Sequence, residues 1–206
     1  MSRRLLAGAL VATGLVALTA GPVAARDAGG RAPDPVRPTI AEVVAASGGR
    51  FDRNWNDYDV LLNAVQAAGL TGALGDPAAR LTVFAPDDLA FVLLARDLGY
   101  GGWDEQGAWD HLVGALTTIG GGDPIPVLAD VLRYHVSPGV LRPLDVLRAR
   151  EIPTLLGPTI GRRGISLVDA EPDLRDPRLD LFALDRRASN GVVHGITRVL
   201  IPVDLP

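Results

Sequence analysis

Apolar residues recur at α-helical spacing through most of the chain between residues 39 and 134. Short polar residues and glycines separate these segments, as helix caps and stops do. One compact apolar run, Leu81–Ala85, interrupts them and predicts a β-strand that ends at Pro86. The predicted helices are the segment from Thr39 through Ala46, a helix capped by Asp57 or Asp59 and stopped by Gly69, a helix capped by Asp87, a helix carrying Trp109 to Leu116, and a helix opened by Asp123 and Pro124.

The last third of the chain changes to extended apolar runs broken by Gly, Pro and Asp. The predicted strands are Glu151–Leu156, Ile165–Val168, Leu179–Leu184 and Val192–Ile201. Because helices come first and most strands follow, the pattern predicts the α+β class rather than alternating α/β.

The N-terminus has the pattern of an export signal. Arg3 and Arg4 precede an apolar run from residue 5 to 18, and Val23-Ala24-Ala25 offers small residues for cleavage. The run is shorter than the ~20 residues that span a bilayer, so an uncleaved anchor is the weaker interpretation. We expect a signal peptide at 1–25, a flexible linker at 26–38 and a folded domain at 39–206. The paired arginines leave the export route, general or twin-arginine, open.

Composition excludes several kinds of chemistry. The 206 residues carry 20 basic and 24 acidic side chains, a formal charge of −4, and every basic residue is arginine. This balance argues against a nucleic-acid partner. Without lysine there is no Schiff-base catalysis or lysine-containing phosphate loop. Without cysteine there is no disulfide, thiol nucleophile or thiolate metal site.

Three stretches together resemble the fasciclin domain family. They are Thr82–Phe91, similar to the family's TVFAP block; Tyr134-His135-Val136 with Pro138-Gly139 behind it, similar to the central YHV block; and Asn190–Pro202, similar to the closing NGVVH block. The chain looks like a bacterial-type secreted member with a single domain over residues 39–206. The resemblance implies a wedge of two β-sheets flanked by several helices. It also implies a role in adhesion or matrix interaction without catalysis.

The first and last blocks have a structural interpretation of their own. Asp87 caps a helix after a sharp turn, and Phe84 and Phe91 are expected to meet in the core on either side of that turn. Asn190-Gly191 predicts a tight turn, because both residues tolerate positive φ.

The histidines of the central and closing blocks, His135 and His194, are expected to be buried and hydrogen-bonded to backbone. His135, beside Tyr134, has a second interpretation as part of an interaction surface, since the family's YH block has been linked to adhesion. Both interpretations stay open on the sequence alone.

The segment from Tyr100 to Asp123 carries the best candidates for an exposed contact. Tyr100 and Trp103 lie among glycines, and aromatic residues concentrate in binding hot spots. Trp109 falls on the apolar face of its helix and is assigned to the core. The alternative is that the segment is a lid over the core.

No metal, cofactor or catalytic site is predicted. Asp52, Asn54 and Asn56 match the first ligands of an EF-hand loop, but Asp57 replaces its turn glycine and Asn63 its final glutamate. The chain has three histidines and none of the common catalytic motifs.

These observations favour a secreted, non-catalytic module for cell-surface or matrix adhesion. Its partner would be an extracellular protein or glycan, or a second copy in a homodimer, with no membrane anchor left after signal cleavage. Two alternatives are a carrier of a small apolar ligand and, with less support, a hydrolase. An apolar pocket that holds unpaired polar groups would favour the carrier.

The export pattern makes one prediction. N-terminal sequencing of the protein from its producing cell should find Arg26 first, because the signal is cut after Ala25. Intact Met1 in a cytosolic fraction would contradict both the export signal and the adhesion hypothesis.

Overall fold

Helices cover much of the region that the computed structural model describes, residues 37–205. The predicted signal peptide and residues 26–36 of the predicted linker lie outside it. The helices are α1 Ile40–Ser47, α2 Asp59–Ala67, α3 Thr71–Gly75, α4 Asp88–Asp97, α5 Glu105–Ile119, α6 Pro124–Tyr134 and α7 Pro143–Arg148. In this region no single helix is long and apolar enough to cross a membrane. Helices α5 and α6 taken together have the length and composition of a membrane-spanning segment, but the pair is bent by 106°.

Two sheets complete the α+β fold. The strands are β1 Leu81–Pro86, β2 Val136–Pro138, β3 Glu151–Ile152, β4 Ile160–Arg163, β5 Ser166–Val168, β6 Arg186–Ala188 and β7 Gly191–Ile196. One sheet has the order β2-β1-β7-β6 and the other the order β3-β4-β5. Strands β1 and β7 run parallel, from the Leu81–Gly191 pair to the Pro86–Ile196 pair. The other strand pairs are antiparallel.

The four-stranded sheet separates two hydrophobic cores. Successive side chains of a strand point to opposite faces, so Val83 and Ala85 join the core formed with α1, α2 and α4 to α6. Phe84 joins the second core, formed with α7, the three-stranded sheet and Tyr134. The expectation that Phe84 and Phe91 meet is therefore wrong, because Phe91 lies in the first core.

The starts of α1, α4 and α6 agree with the predicted caps Thr39, Asp87 and Asp123, whereas the start of α2 does not. Asp87 caps α4 by accepting a hydrogen bond from Ala90 N at 2.8 Å. Neither Asp57 nor Asp59 caps α2. Instead, Asp88 of α4 accepts from Asp59 N at 3.0 Å and from Val60 N at 2.8 Å. This cap comes from another helix, so the local sequence around α2 could not reveal it.

Three strand predictions need correction. The predicted strand Glu151–Leu156 ends at Ile152, and Val192–Ile201 ends at Ile196. The predicted strand Leu179–Leu184 is wrong, since only Leu179 forms a β-bridge. The chain turns there, because the Asp180 carboxylate accepts from Phe182 N at 2.9 Å.

The Asn-Gly turn lies one residue earlier than predicted. Ser189 and Asn190 form the loop between β6 and β7, and Gly191 begins β7 opposite Ala188. Neither Asn190 nor Gly191 has positive φ. Glycine is needed at 191 because a Cβ there would lie 2.1 Å from Leu81 O. The requirement is close approach of two strands rather than turn geometry.

The Asn190 side chain joins the β6–β7 turn to the start of α1 and to the end of α3 by hydrogen bonds. Its Oδ1 accepts from Ile40 N at 2.9 Å, and its Nδ2 donates to Leu74 O at 2.8 Å and Asp76 O at 2.9 Å. The side chain is fully buried.

Asn190→Ala should therefore lower the free energy of unfolding by about 2 to 4 kcal/mol, because it leaves buried backbone groups without partners. Urea unfolding would measure the change. Ser189→Ala is the control, since Ser189 is exposed in the same loop. Equal stability of the two variants would contradict this role for Asn190.

Candidate interaction surface

An exposed pair of tryptophans lies where the 51–58 loop meets the segment before α5. Trp55 and Trp103 are stacked, with ring centroids 6.0 Å apart and an interplanar angle of 26°. Trp103 is 50% exposed and Trp55 37% exposed. The Arg96 guanidinium lies 4.0 Å from the Trp103 ring, in the position of a cation–π contact. We call Trp55, Trp103 and Arg96 the aromatic surface.

Arg96 also fastens the glycine segment that carries Trp103. Its Nη1 donates to Gly101 O at 3.3 Å and to Gly102 O at 2.8 Å. The side chain thus ties this segment to α4 while it covers the tryptophan ring. The exposed ring is held in place at both its backbone and its face.

Tyr100 supports the start of α5. Its hydroxyl donates to Asp104 Oδ2 at 2.6 Å, and Asp104 Oδ1 caps α5 by accepting from Gly107 N at 2.8 Å. The ring is half-buried and lies 5.7 Å from that of His111. The Trp103 ring is half exposed, whereas the Tyr100 hydroxyl is engaged within the protein. The second exposed ring of the aromatic surface is Trp55, for which the sequence pattern predicted no role.

His135 is almost fully buried and uses both ring nitrogens on backbone. It is 2% exposed. Its Nδ1 lies 2.8 Å from Val131 O, and its Nε2 accepts from Leu200 N at 2.9 Å. These partners assign a neutral ring with the proton on Nδ1. Burial lowers the pKa of His135 to about 4. A partner cannot reach this ring, so we leave His135 out of the aromatic surface.

His194 is the counterpart on β7, with the opposite tautomer. Its Nε2 lies 2.8 Å from Leu141 O, and its Nδ1 accepts from Asp185 N at 3.2 Å. The proton is therefore on Nε2, and burial lowers the pKa of this ring too. Tyr134, 1% exposed, donates its hydroxyl to Thr159 O at 3.2 Å. These side chains of the family blocks are engaged in holding the fold together.

The surroundings of Ser137 offer little to catalysis, and two neighbouring pockets bear on the carrier alternative. Ser137 is fully buried, and neither nitrogen of the nearby His135 is free to accept its proton. An apolar cavity of about 70 Å³ lies among α4, α5, α6 and residues 199–205. Benzene occupies an apolar cavity of ~150 Å³. Among the described residues that line this small cavity, the Trp109 indole is the one polar side-chain group. A wider and more open pocket of about 490 Å³ adjoins it and adds the polar side chains of Asp110, His111 and Thr118.

Five carboxylates lie close together in and next to the loop that carries Trp55. We call them the carboxylate cluster: Asp52, Asp57, Asp59, Asp88 and Glu105. Asp59, Asp88 and Glu105 are at most 2% exposed. Oxygens of Asp52, Asp57 and Asp59 lie within 4.8 Å of one another, and so do oxygens of Asp57, Asp88 and Glu105. Carboxylate oxygens are the ligands that hard divalent cations prefer, so these residues are the ones in the described region best suited to hold a metal.

Burial and mutual repulsion shift the acidity of the carboxylate cluster. Burial, with the neighbouring Asp57 carboxyl, raises the pKa of Asp88 to about 8. Burial, with the charges of Asp59, Asp52 and Asp57, raises the pKa of Glu105 to about 7. The pKa of Asp59 is raised for the same reasons. Without a cation, these groups resist full ionisation at neutral pH.

The fold and its blocks define the family. The structure adds to the sequence resemblance an α+β wedge with a parallel β1–β7 pair. It also shows a buried histidine in each of the last two blocks. The fasciclin domain model matches residues 56–202, and the chain belongs to this family. Family members occur in extracellular or cell-surface proteins and are generally non-enzymatic.

Two similar proteins extend the comparison. The uncharacterized protein sll1735 of Synechocystis sp. is 29% identical over 164 residues, which cover 80% of this chain and 98% of that protein. The solved structure of a FAS1 domain pair from the insect cell adhesion molecule Fasciclin I matches with a TM-score of 0.53 at 13% identity. That match covers 80% of this chain and 51% of the insect chain, so this chain spans about half its length. At this identity the match shows the fold.

The buried histidines predict a pH dependence. The pKa of His135 is about 4 in the folded protein and ~6.5 in an unfolded chain, so between these values the unfolded chain binds the extra proton. The stabilisation by His135 is therefore present above pH ~6.5 and is lost as the pH falls towards 4. His135→Ala should cost about 1 to 3 kcal/mol at pH 7.5, and this cost should shrink between pH 6.5 and 4.

Urea unfolding of both proteins across that pH range would measure the difference. His194→Ala should show the same direction, because its pKa is also lowered. A cost that is independent of pH would contradict the neutral buried ring.

Proposed function

We propose that the protein is a secreted, non-catalytic adhesion or interaction module that binds a protein partner through the aromatic surface. The single observation that carries this proposal is the exposed stack of Trp55 on Trp103 with Arg96 over it. Large aromatic rings and arginine supply most of the energy at protein interfaces.

The aromatic surface is suited to binding because it is already ordered. Arg96 holds the backbone before Trp103, and Trp55 O accepts from Leu89 N at 3.1 Å, which ties the tryptophan loop to α4. Little side-chain entropy is then lost when a partner docks. The exposed polar residues Arg53, Asn54 and Asn56 surround Trp55 in its loop and supply a polar rim.

The family and the export pattern support an extracellular location. Fasciclin domains occur in extracellular or cell-surface proteins, and the solved relative is a cell adhesion molecule. The pattern of residues 1–25 is that of a cleaved signal. The partner would then be another extracellular or cell-surface protein.

Trp103→Ala should weaken partner binding about fivefold or more, with little change in stability, because the ring is half exposed. The measurement is recovery of partners from the extracellular fraction with wild-type and variant protein as bait, followed by affinity measurement on the recovered partner. Phe182→Ala is the matched control, since Phe182 is a fully exposed aromatic residue on another loop.

The same variants separate the alternatives. If Trp103→Ala abolishes self-association in sedimentation analysis, the surface forms a homodimer. If the bait retains glycans and no protein, the proposal that the partner is a protein is wrong. Partner binding that survives Trp103→Ala but not Phe182→Ala would move the interaction to the 180–184 turn and contradict the proposal.

A further inference from the structure

We propose that the carboxylate cluster binds a calcium ion, with Asp57 as the ligand shared by its two overlapping groups of three carboxylates. This inference goes beyond the proposed function and does not depend on it. It rests on the carboxylate oxygens that the protein itself leaves without partners.

Three buried oxygens of the carboxylate cluster accept no hydrogen bond from the described residues. They are Asp57 Oδ1, Asp59 Oδ2 and Glu105 Oε1. Asp59 is 2% exposed and Glu105 1% exposed, so bulk water does not solvate these oxygens. A buried carboxylate oxygen without a partner is costly, and natural proteins rarely leave one. Three of them in one cluster offer a cation ready oxygen ligands.

The other oxygens of these carboxylates show that the arrangement is built rather than accidental. Gly49 N donates to Asp59 Oδ1, and Asp52 N donates to Glu105 Oε2 at 2.8 Å. Asn54 Nδ2 donates to Asp57 Oδ2 at 2.9 Å. Each of these side chains is thus oriented by one oxygen while its second oxygen stays unpaired. Carboxylates that ligate a metal are commonly oriented in this way, with one oxygen hydrogen-bonded and the other on the ion.

No protein cation neutralises the cluster within residues 37–205. The described ion pairs join Arg133 to Asp130, Arg187 to Asp185, and Arg198 to Asp97. Arg50 and Arg53, the nearest arginines along the chain, are exposed. The raised pKa values of Asp88 and Glu105 agree with this lack of a counter-charge.

Size and ligand type favour calcium. Calcium binds six to eight oxygens at ~2.3 to 2.6 Å, so its ligand oxygens lie up to about 5 Å apart. Each group of three carboxylate oxygens falls within 4.8 Å. The ligands come from a loop and from the first turns of α2, α4 and α5. Calcium tolerates such an irregular set better than magnesium, which demands near-ideal octahedral geometry.

A second acidic group serves as an internal comparison. Oxygens of Glu171, Asp173 and Asp204 also lie close together. There, Glu171 Oε1 accepts from Asp173 N at 2.9 Å and its Oε2 from Leu205 N at 2.6 Å. Both oxygens of the buried residue are engaged by backbone, so this group lacks the feature that points to an ion.

The test is thermal unfolding and titration calorimetry of the purified protein with CaCl₂, with MgCl₂ and with EGTA. Calcium should raise the midpoint of unfolding by about 5 to 10 °C at a concentration ~100 times its Kd. Calorimetry should show one site. Fluorescence of Trp55 and Trp103 should change with the same Kd, since one lies between cluster residues in sequence and the other two residues before Glu105.

Two variants place the ion. Asp57→Asn and Glu105→Gln should each weaken calcium binding at least tenfold. In EGTA, Glu105→Gln should unfold at a higher temperature than the wild type, because it removes one buried charge from a repelling group. In calcium the order should reverse. Asp173→Asn, the same change in the comparison group, should leave calcium binding unchanged.

Several results would overturn the calcium site. They are no binding at millimolar calcium, an equal response to magnesium, or a calcium response that persists in both cluster variants while Asp173→Asn removes it. A protein that binds calcium but no partner would leave this inference intact and contradict only the proposed function.

Discussion

The parallel contact between β1 and β7 is the constraint on which the rest of the structure depends. It joins residues 81–86 to residues 191–196, so the chain must return across the whole domain to close the sheet. Because a core covers each face, backbone and side-chain polar groups there must find partners inside the protein. Thr82 shows the consequence: its hydroxyl donates to Gly139 O and accepts from Leu141 N, both at 2.8 Å. Gly191 shows the steric consequence, since any larger residue there would clash with Leu81 O and keep β1 and β7 apart.

The side chains of the family blocks meet this constraint with neutral polar groups. His135 links the end of α6 to Leu200, and His194 links Asp185 to Leu141. Each ring uses one nitrogen as donor and the other as acceptor, which only a neutral imidazole can do. Asn190 does the same with its amide. These residues have no unused polar atom to offer a ligand, and their burial is explained by the fold alone.

Much of the fold, but little of the site, can be predicted from the sequence. Local signals suffice for the caps Asp87 and Asp123, for the strand at 81–86 and for the class. They fail where the decisive contact is distant, as where Asp88 caps α2 from another helix. At 179–184 the apolar pattern outweighed a local turn signal, since the Asp180 carboxylate accepts from Phe182 N two residues further on. The pattern does not predict the short elements α3, α7, β2, β4 and β6, since a few residues carry too little periodicity. The carboxylate cluster joins positions 52 to 59 with 88 and 105, a proximity that no spacing rule along the chain contains.

The position of the aromatic surface relative to the carboxylate cluster follows from that same proximity. Trp55 lies in the loop between Asp52 and Asp57, and Trp103 precedes Glu105 by two residues. The hydrogen bond from Asp52 N to Glu105 Oε2 therefore joins the two tryptophan-bearing segments directly. Repulsion among five carboxylates opposes this contact, whereas a bound cation removes the repulsion. The 51–58 loop and the segment that leads into α5 therefore each carry a tryptophan of the exposed stack and a carboxylate of the cluster, so both features share the same backbone supports.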